Sequence, residues 1–404
     1  MSTLTRPART ATPAAGFWAV AAVFVTAMAF STVPTPLYPL YQAHDGFSTF
    51  TVTVVFAVYA VGVLVSLLLA GHVSDWVGRR QVIAAALSLE LLATALFLAG
   101  TSLPVLLVAR LVTGLGVGML SATATAYLHD LHRAHRPDGS PQRFEIVSTA
   151  ANIGGLGLGP LLAGLLAQYA VAPLRLPYAV VGVLLLLGLV TVALVPETVT
   201  KPETRPAYRP QRVSADHGDR AGYLAASAAG FASFAVFGLF TSLAPGFVGG
   251  TLHHPSRALA GLIVFVVFGA AAAAQVSTGT LAPRVRRDAG LVAQAAGVIV
   301  LAVAVRTANL ALFVVAGAVV GAGAGMLFKS AVGAVAAMAA PARRGEALAG
   351  LFLVSYVGLA LMPVGLGVAT LYVTTATALT WFAGVVLALL AGVALLGRRV
   401  RAAH

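Results

Sequence analysis

The sequence predicts an all-α membrane protein whose twelve transmembrane helices form two pseudo-symmetric six-helix bundles. Three observations lead there. Hydrophobic residues make up 59% of the chain and charged residues only 9%, whereas soluble proteins average about 45–50% and about 25%. So few charges cannot cover the soluble surface of a 404-residue chain. The apolar residues come in long runs divided by short charged loops, and twelve runs reach the roughly 20 residues a helix needs to cross a bilayer. The chain also repeats itself. Gly114-x-Gly116-x-Gly118-Met119-Leu120 returns as Gly321-x-Gly323-x-Gly325-Met326-Leu327, and Arg143-x-Glu145 returns as Arg344-x-Glu346. Gly71, ahead of paired arginines, has its counterpart in Gly279. Such a duplication in so hydrophobic a chain points to a transporter built from two related bundles.

In chain order, the first six spans are expected at Gly16 to Leu40, Thr49 to Ala70, Gln81 to Gly100, Pro104 to Leu128, Phe144 to Tyr169 and Leu176 to Val195. The first follows a polar leader with Arg6 and Arg9 and continues into Thr35-Pro36-Leu37-Tyr38 without a small-residue cleavage site, so it reads as an uncleaved span. The second six are Ala221 to Phe247, Ala258 to Leu281, Ala289 to Val305, Leu310 to Met338, Glu346 to Val373 and Thr377 to Leu396. Six is even, so the halves share one orientation and the repeat is parallel. The domains are then residues 1–195, a polar, proline-containing linker at 196–220, and residues 221–404. The linker carries Lys201, Arg205, Arg209, Arg212, Asp216 and Asp219 and is expected to be mobile.

The formal net charge of +13 suggests nucleic acid until the charges are located. With both termini cytoplasmic, about 20 of the 25 Lys and Arg fall inside, which is the positive-inside rule. Arg175, Arg257 and Arg306 fall outside, and Arg110 and Lys329 lie within spans. Arg284, Arg286 and Arg287 are expected to be topological anchors. No nucleic-acid partner follows. The expected setting is a multi-pass protein of the cell inner (plasma) membrane, a monomer in the lipid bilayer. Cysteine is absent, which excludes thiol catalysis and thiolate metal sites. No span holds a His/Asp/Glu cluster suited to catalysis or metal binding, so an enzyme is disfavoured and no cofactor is expected. His129, His132 and His135 lie beside Arg133 and Arg136 and read as a solvated helix end.

Four segments carry the functional reading. Gly71-His72-Val73-Ser74-Asp75-Trp76-Val77-Gly78-Arg79-Arg80 joins the second and third spans with glycines for a tight reversal, an acid suited to a helix N-terminus and basic residues that hold the loop inside. The Gly71-x-x-x-Asp75-x-x-Gly78-Arg79-Arg80 order resembles the signature loop of the major facilitator superfamily. That resemblance implies two six-helix bundles around a cavity opening alternately to each side, with this loop locking the bundles on the cytoplasmic side when the site faces outward. The second-half copy has Pro283 in place of the acid. Arg110, roughly 10 Å inside its span, is costly unless paired or hydrated, and its segment is similar to the family's fourth-helix arginine motif, implicated in proton coupling. Glu90, about 15 Å from either end of its span, has two open readings: a coupling carboxylate that exchanges a proton when hydrated, or a structural partner of Arg110, about one turn away, or of a polar neighbour. The first span has no acid, unlike the usual exporter.

The fifth span is rich in glycine and carries Pro160, which implies close helix approach and a kink. Its expected partner is the small-sided stretch from Gly269 to Ala274 in the eighth span. Gly155, Gly159, Pro160 and Gly164 are similar to the pattern of proton-linked exporters in that family, with Ala163 in place of the commoner glycine. Lys329, about 14 Å from its cytoplasmic end, either lines the cavity and favours anionic substrates or snorkels into headgroups. The cavity is expected to be apolar with few polar anchors: Thr35, Tyr38, Tyr59, Asn152, Phe234, Phe237, Gln275, Lys329 and Tyr356. The implied function is proton-coupled export of small hydrophobic compounds, with protons and a small molecule as partners. A sugar or metabolite exporter, a symporter of the same fold, a non-transporting sensor and a membrane enzyme are the alternatives.

Overall fold

The computed structural model describes residues 11–200, 207–214 and 219–402; Arg6, Arg9, Lys201, Arg205 and Asp216 fall outside them. In the first half, α1 (Pro13–Thr32) breaks at a 3-10 turn, Thr35–Leu37, before α2 (Tyr38–Asp45). Then come α3 (Thr49–Ala70), α4 (Ser74–Val77), α5 (Arg79–Ala99), α6 (Leu103–His135), α7 (Gln142–Thr149), α8 (Gly155–Tyr169) and α9 (Leu176–Leu194). The second half has α10 (Arg220–Ser242), α11 (Ala244–Gly250), α12 (Arg257–Ser277), α13 (Pro283–Arg306), α14 (Leu310–Met338), α15 (Arg344–Ala369) and α16 (Thr375–Ala402). Counting α1 with α2 and α7 with α8, twelve helical units among the described residues are long and apolar enough to cross a membrane.

Helix starts follow local chemistry. Thr12, Ser48, Asp219, Ser256 and Asn309 each accept a hydrogen bond from a backbone N–H in the first turn of the helix they precede, which satisfies an otherwise unpaired donor. Where the ends differ from the hydropathy reading, water-facing turns are the reason. α6 runs on to His135 and α13 starts at Pro283, because polar turns extend a helix beyond the bilayer and proline suits a first turn. The seventh span stops early, at Ser242, because Pro245 lacks the N–H a continuing helix needs.

The two halves pack alike. In the first, α6 lies against α3 and α5, and α1 lies against α6, α8 and α9; in the second, α14 lies against α12 and α13, and α10 against α14, α15 and α16. The repeated glycines make this possible. A side chain on Gly114 would collide with the Tyr59 carbonyl and one on Gly118 with the Val63 carbonyl, both on α3. Gly321 and Gly325 stand in the same way against the Val267 and Ala271 carbonyls on α12. The middle glycines, Gly116 and Gly323, abut Glu90 on α5 and Gln294 on α13. Each wedge therefore holds two neighbouring helices at backbone contact.

The chain enters and leaves on one face. The Ala11 N–H donates to the Leu194 carbonyl at 2.9 Å, and Gly397 lies against Arg287 at the start of α13. The described part of the linker crosses this face and contacts it. The Gln211 N–H donates to the Leu68 carbonyl at 2.8 Å, and the Tyr208 hydroxyl donates to the Leu69 carbonyl at 3.0 Å. Val213 reaches α15 at Gly350.

Replacing Gly321 by Leu should destabilise the purified protein by about 1–3 kcal/mol through overpacking. Gly384→Ala, where an added Cβ meets nothing within 4 Å, should leave stability unchanged or raise it. Thermal unfolding in detergent distinguishes the two.

Candidate functional site

A cavity of about 620 Å³ lies between the bundles, within the range of pockets for small organic ligands. α1, α3, α6, α7 and α8 supply one wall, with Met28, Tyr59, Ser121, Asn152 and Leu156 among its residues. The other wall comes from α10, α12, α14 and α15 and is aromatic. Phe234 sits at its centre, with ring centroids 4.8 Å from Phe328, 5.2 Å from Tyr356 and 6.1 Å from Phe237. The cavity reaches Leu67, Glu145, Arg286 and Gly333 near the linker-face ends of their helices.

Of the residues expected here, Tyr59, Asn152, Phe234, Phe237, Gln275, Lys329 and Tyr356 line the cavity. Thr35 and Tyr38 do not; both are buried. The break in α1 carries them past the cavity, where the 3-10 turn packs between α8 and α12. Asn152 stands in a π-helical turn, Ala150–Gly154, that links α7 to α8; the extra residue of such a turn re-aims side chains. Lys329 lines the cavity. Its ammonium donates to the Gln275 carbonyl at 2.9 Å and lies 3.9 Å from Glu145 across the cavity. Arg286, expected as a topological anchor, is also 7% exposed, lines the cavity and donates to the Ser330 hydroxyl at 3.2 Å. Glu145, Arg286 and the ring partners Phe268, Phe328 and Phe352 escaped the sequence reading. Only the repeat of Arg143-x-Glu145 hinted at any of them.

On the opposite face the bundles meet along two seams, α8 with α12 and α3 with α15. The glycine motif builds the first. Gly155 and Gly159 face α1 at Val25, Met28 and Ala29, whereas Gly157 faces Phe265 and Phe268 of α12, and Gly164 faces the Arg257 carbonyl. Gly261 abuts the Pro160 carbonyl. The eighth span is thus the partner, as expected, but through Arg257 to Phe268 rather than Gly269 to Ala274. Gly269 meets nothing within 4 Å, and Ala271 instead packs on Gly325 of α14. Pro160 has no N–H to offer the Leu156 carbonyl, and the Thr32 hydroxyl donates to it at 2.9 Å. Arg257, expected only in an outer loop, clasps the seam: its guanidinium donates to the Ala167 carbonyl at 3.0 Å and its backbone N–H to the Gln168 side chain at 2.9 Å. A cation suits those last carbonyls of α8. In the second seam Gly367 accommodates Thr53 and Phe50.

The 71–80 loop lies on the linker face, where it bonds to first-half residues and to Glu197 of the linker. Gly78 has φ +119°, which excludes other residues without strain, and a Cβ there would strike Glu197. The Glu197 carboxylate accepts from the backbone N–H groups of Arg79 and Arg80 at 3.0 and 3.1 Å, as an anion at a helix N-terminus should. The Arg79 guanidinium binds Ser74, Asp75 and, at 3.2 Å, Asp130. Gly71 starts the reversal, and Arg80 reaches the Ala193 carbonyl at 3.4 Å. Asp130 and Glu197 had no sequence signal, being far from the loop along the chain.

Arg110 and Glu90 are both buried but do not pair. The Arg110 guanidinium donates to the Ser31 carbonyl at 2.7 Å and stands 4.2 Å over the Tyr59 ring, a cation–π arrangement. Both Glu90 oxygens are buried with no hydrogen-bond partner. The expected structural partnership is therefore absent; π-faces and a carbonyl compensate the guanidinium instead. His132 departs from the solvated reading too, being 6% exposed with Nε2 3.2 Å from the Ser140 carbonyl. No cluster of metal-ligating residues occurs among the described residues.

The sequence model of the Major Facilitator Superfamily matches residues 19–289. No curated protein sequence matches significantly. Among solved structures, the chain is similar to the human organic anion transporter MFSD10 (TETRAN), at 17% identity and TM-score 0.69 over 94% of this chain and 99% of that one. It is similar to the nucleoside transporter NupG at 12% identity and TM-score 0.72, over 94% and 99%. A POT family transporter in complex with 5-aminolevulinic acid superposes at 11% identity and TM-score 0.73, over 96% of each chain. At such identities these likenesses concern the fold.

Thr32→Val would leave the Leu156 carbonyl without its donor beside Pro160. The expected loss is about 1–3 kcal/mol, read as a lower unfolding temperature, with Thr32→Ser retaining most of the stability.

Proposed function

Because the chain belongs to the Major Facilitator Superfamily, whose members are transporters, we propose that it exports small hydrophobic compounds by proton-coupled alternating access. The observation that carries this reading is the aromatic cavity between the bundles, reaching one face while glycine seams close the other. In the proposed topology the linker face is cytoplasmic, in accord with the distribution of Lys and Arg, and the membrane is the plasma membrane. Substrate enters from the cytoplasm, the linker-face ends approach, and the seams of α8 with α12 and α3 with α15 part. Two rigid bundles rocking about a central site suffice for this cycle. In the outward-facing state the Asp75 and Arg79 loop engages the opposite bundle; its partners in the first half and at Glu197 belong to the present state.

Export rather than uptake is favoured by the Gly155, Gly159, Pro160 and Gly164 pattern, which packs against α1 on one side and α12 on the other. Glu90 is the proposed proton carrier. It is the one acid deep within the described spans, and an unpaired carboxylate there is costly. Arg110, bound over Tyr59, a cavity residue, is the proposed positive charge that answers changes at Glu90. Proton and substrate then compete by biasing the two states.

In proteoliposomes with an imposed pH gradient, wild-type protein should move substrate against its concentration and release protons in exchange. Glu90→Gln should reduce substrate-driven proton flux to background; undiminished flux would remove Glu90 from the mechanism. Asp75→Asn should slow transport while leaving substrate binding intact, and full transport by that variant would contradict the gating role. Cells carrying the protein should retain less of a lipophilic dye than cells lacking it; greater retention would reverse the proposed direction.

A further inference from the structure

The charged groups lining the cavity are unequally shared. Lys329 and Arg286 come from the second bundle and Glu145 from the first, so the described lining has one more cation than anion. Both cations rest on neutral acceptors. Lys329 uses one of its three donors on the Gln275 carbonyl, and Arg286 uses its Nε on Ser330 and one terminal nitrogen on the Thr278 carbonyl at 3.5 Å. The nearest Glu145 oxygen stands 3.9 Å from the Lys329 ammonium, too far for a hydrogen bond. The Glu145 side chain is 53% exposed against 23% for Lys329, so water competes for the acid more than for the amine. Immediately beside Lys329 lies Phe328, which joins the rings of Phe234 and Phe352.

We infer that Lys329 and Arg286 form an anion subsite, and that the preferred substrates are flat organic acids whose ring lies on the Phe234 and Phe328 wall. Glu145 is the resident occupant that such an acid displaces. The inference deepens the transport reading and rests on the cavity being the substrate site. A bound carboxylate or sulfonate would receive charge-assisted hydrogen bonds in a cavity that is otherwise apolar, where they are stronger than in water. Displacement also breaks a contact between bundles, since Glu145 and Lys329 belong to different halves. Substrate binding would then release one tie between the moving parts.

A purely structural role for Lys329 predicts something different. The Gln275 carbonyl lies in the last turn of α12, where any cation is favourable, and there the lysine would have no effect on ligand choice. Calorimetric titration of the full chain in nanodiscs with 2-naphthoate and with neutral 2-naphthamide separates the two. Wild-type protein should prefer the naphthoate by about tenfold or more. Lys329→Met should abolish that preference, Lys329→Arg should keep it, and Glu145→Gln should increase it. Equal binding of the two probes by wild type would overturn the anion subsite while leaving the cavity as a substrate site. A preference that survives in Lys329→Met, or is unmoved in Glu145→Gln, would overturn it likewise. Absence of binding by both probes would count against the cavity itself and the inference together.

Discussion

Backbone contact between helices is the constraint on which the structure depends. In a bilayer, lipid tails are as apolar as leucine, so helices gain little from hiding apolar side chains from one another, and close packing must hold them. The wedges of α6 and α14 meet that demand. Their outer glycines admit carbonyls of α3 and α12, and their middle glycines admit α5 and α13. Each half is thereby packed through its own interior at backbone contact. A cavity that opens and shuts between two such bodies requires rigidity of this kind, because a soft bundle would absorb the motion instead of transmitting it.

α8 packs tightly on two sides, against its own bundle and against the other. Its Gly155 and Gly159 face α1 within the same bundle, and its Gly157 and Gly164 face α12 in the other. Pro160 would ordinarily leave a carbonyl unsatisfied in an apolar setting; the Thr32 hydroxyl removes that cost. The seam across to α12 relies on van der Waals contact and the few polar bonds of Arg257. The proposed cycle requires this interface, and not the interior of either bundle, to part.

The repeat preserved shape more faithfully than charge. Glu90 and Gln294 occupy matching places against Gly116 and Gly323, yet one is an acid and the other an amide that donates to the Ala232 carbonyl at 2.9 Å. The first half places its buried charges, Glu90 and Arg110, inside its own bundle, whereas the second presents Lys329 and Arg286 to the cavity. The halves thus share a scaffold and divide the polar tasks. The proposed function assigns proton handling to the first and, to the second, the charged groups that meet the substrate.

Hydropathy and duplicated motifs were enough to specify twelve helices in two similarly packed halves, and seven of the nine residues expected at the cavity line it. All of these depend on local composition: bilayer thickness sets span length, and side chains at mid-span on inward helices tend to meet the cavity. Contacts between distant parts of the chain were another matter. Arg286 looked like a surface anchor because its neighbours are basic, until packing of α13 on α14 set it beside Ser330. Glu90 and Arg110 looked like partners because turn counting gives height along a helix but not azimuth. Thr35 and Tyr38 missed the cavity because the break in α1 carries them past it. The capping of α5 by Glu197, the clasp at Arg257 and the approach of Glu145 to Lys329 join residues from different helices or bundles. The sequence by itself determined what crosses the membrane and how often; the tertiary structure alone decided which polar groups meet, since that depends on helix rotation and tilt set by packing across the whole fold.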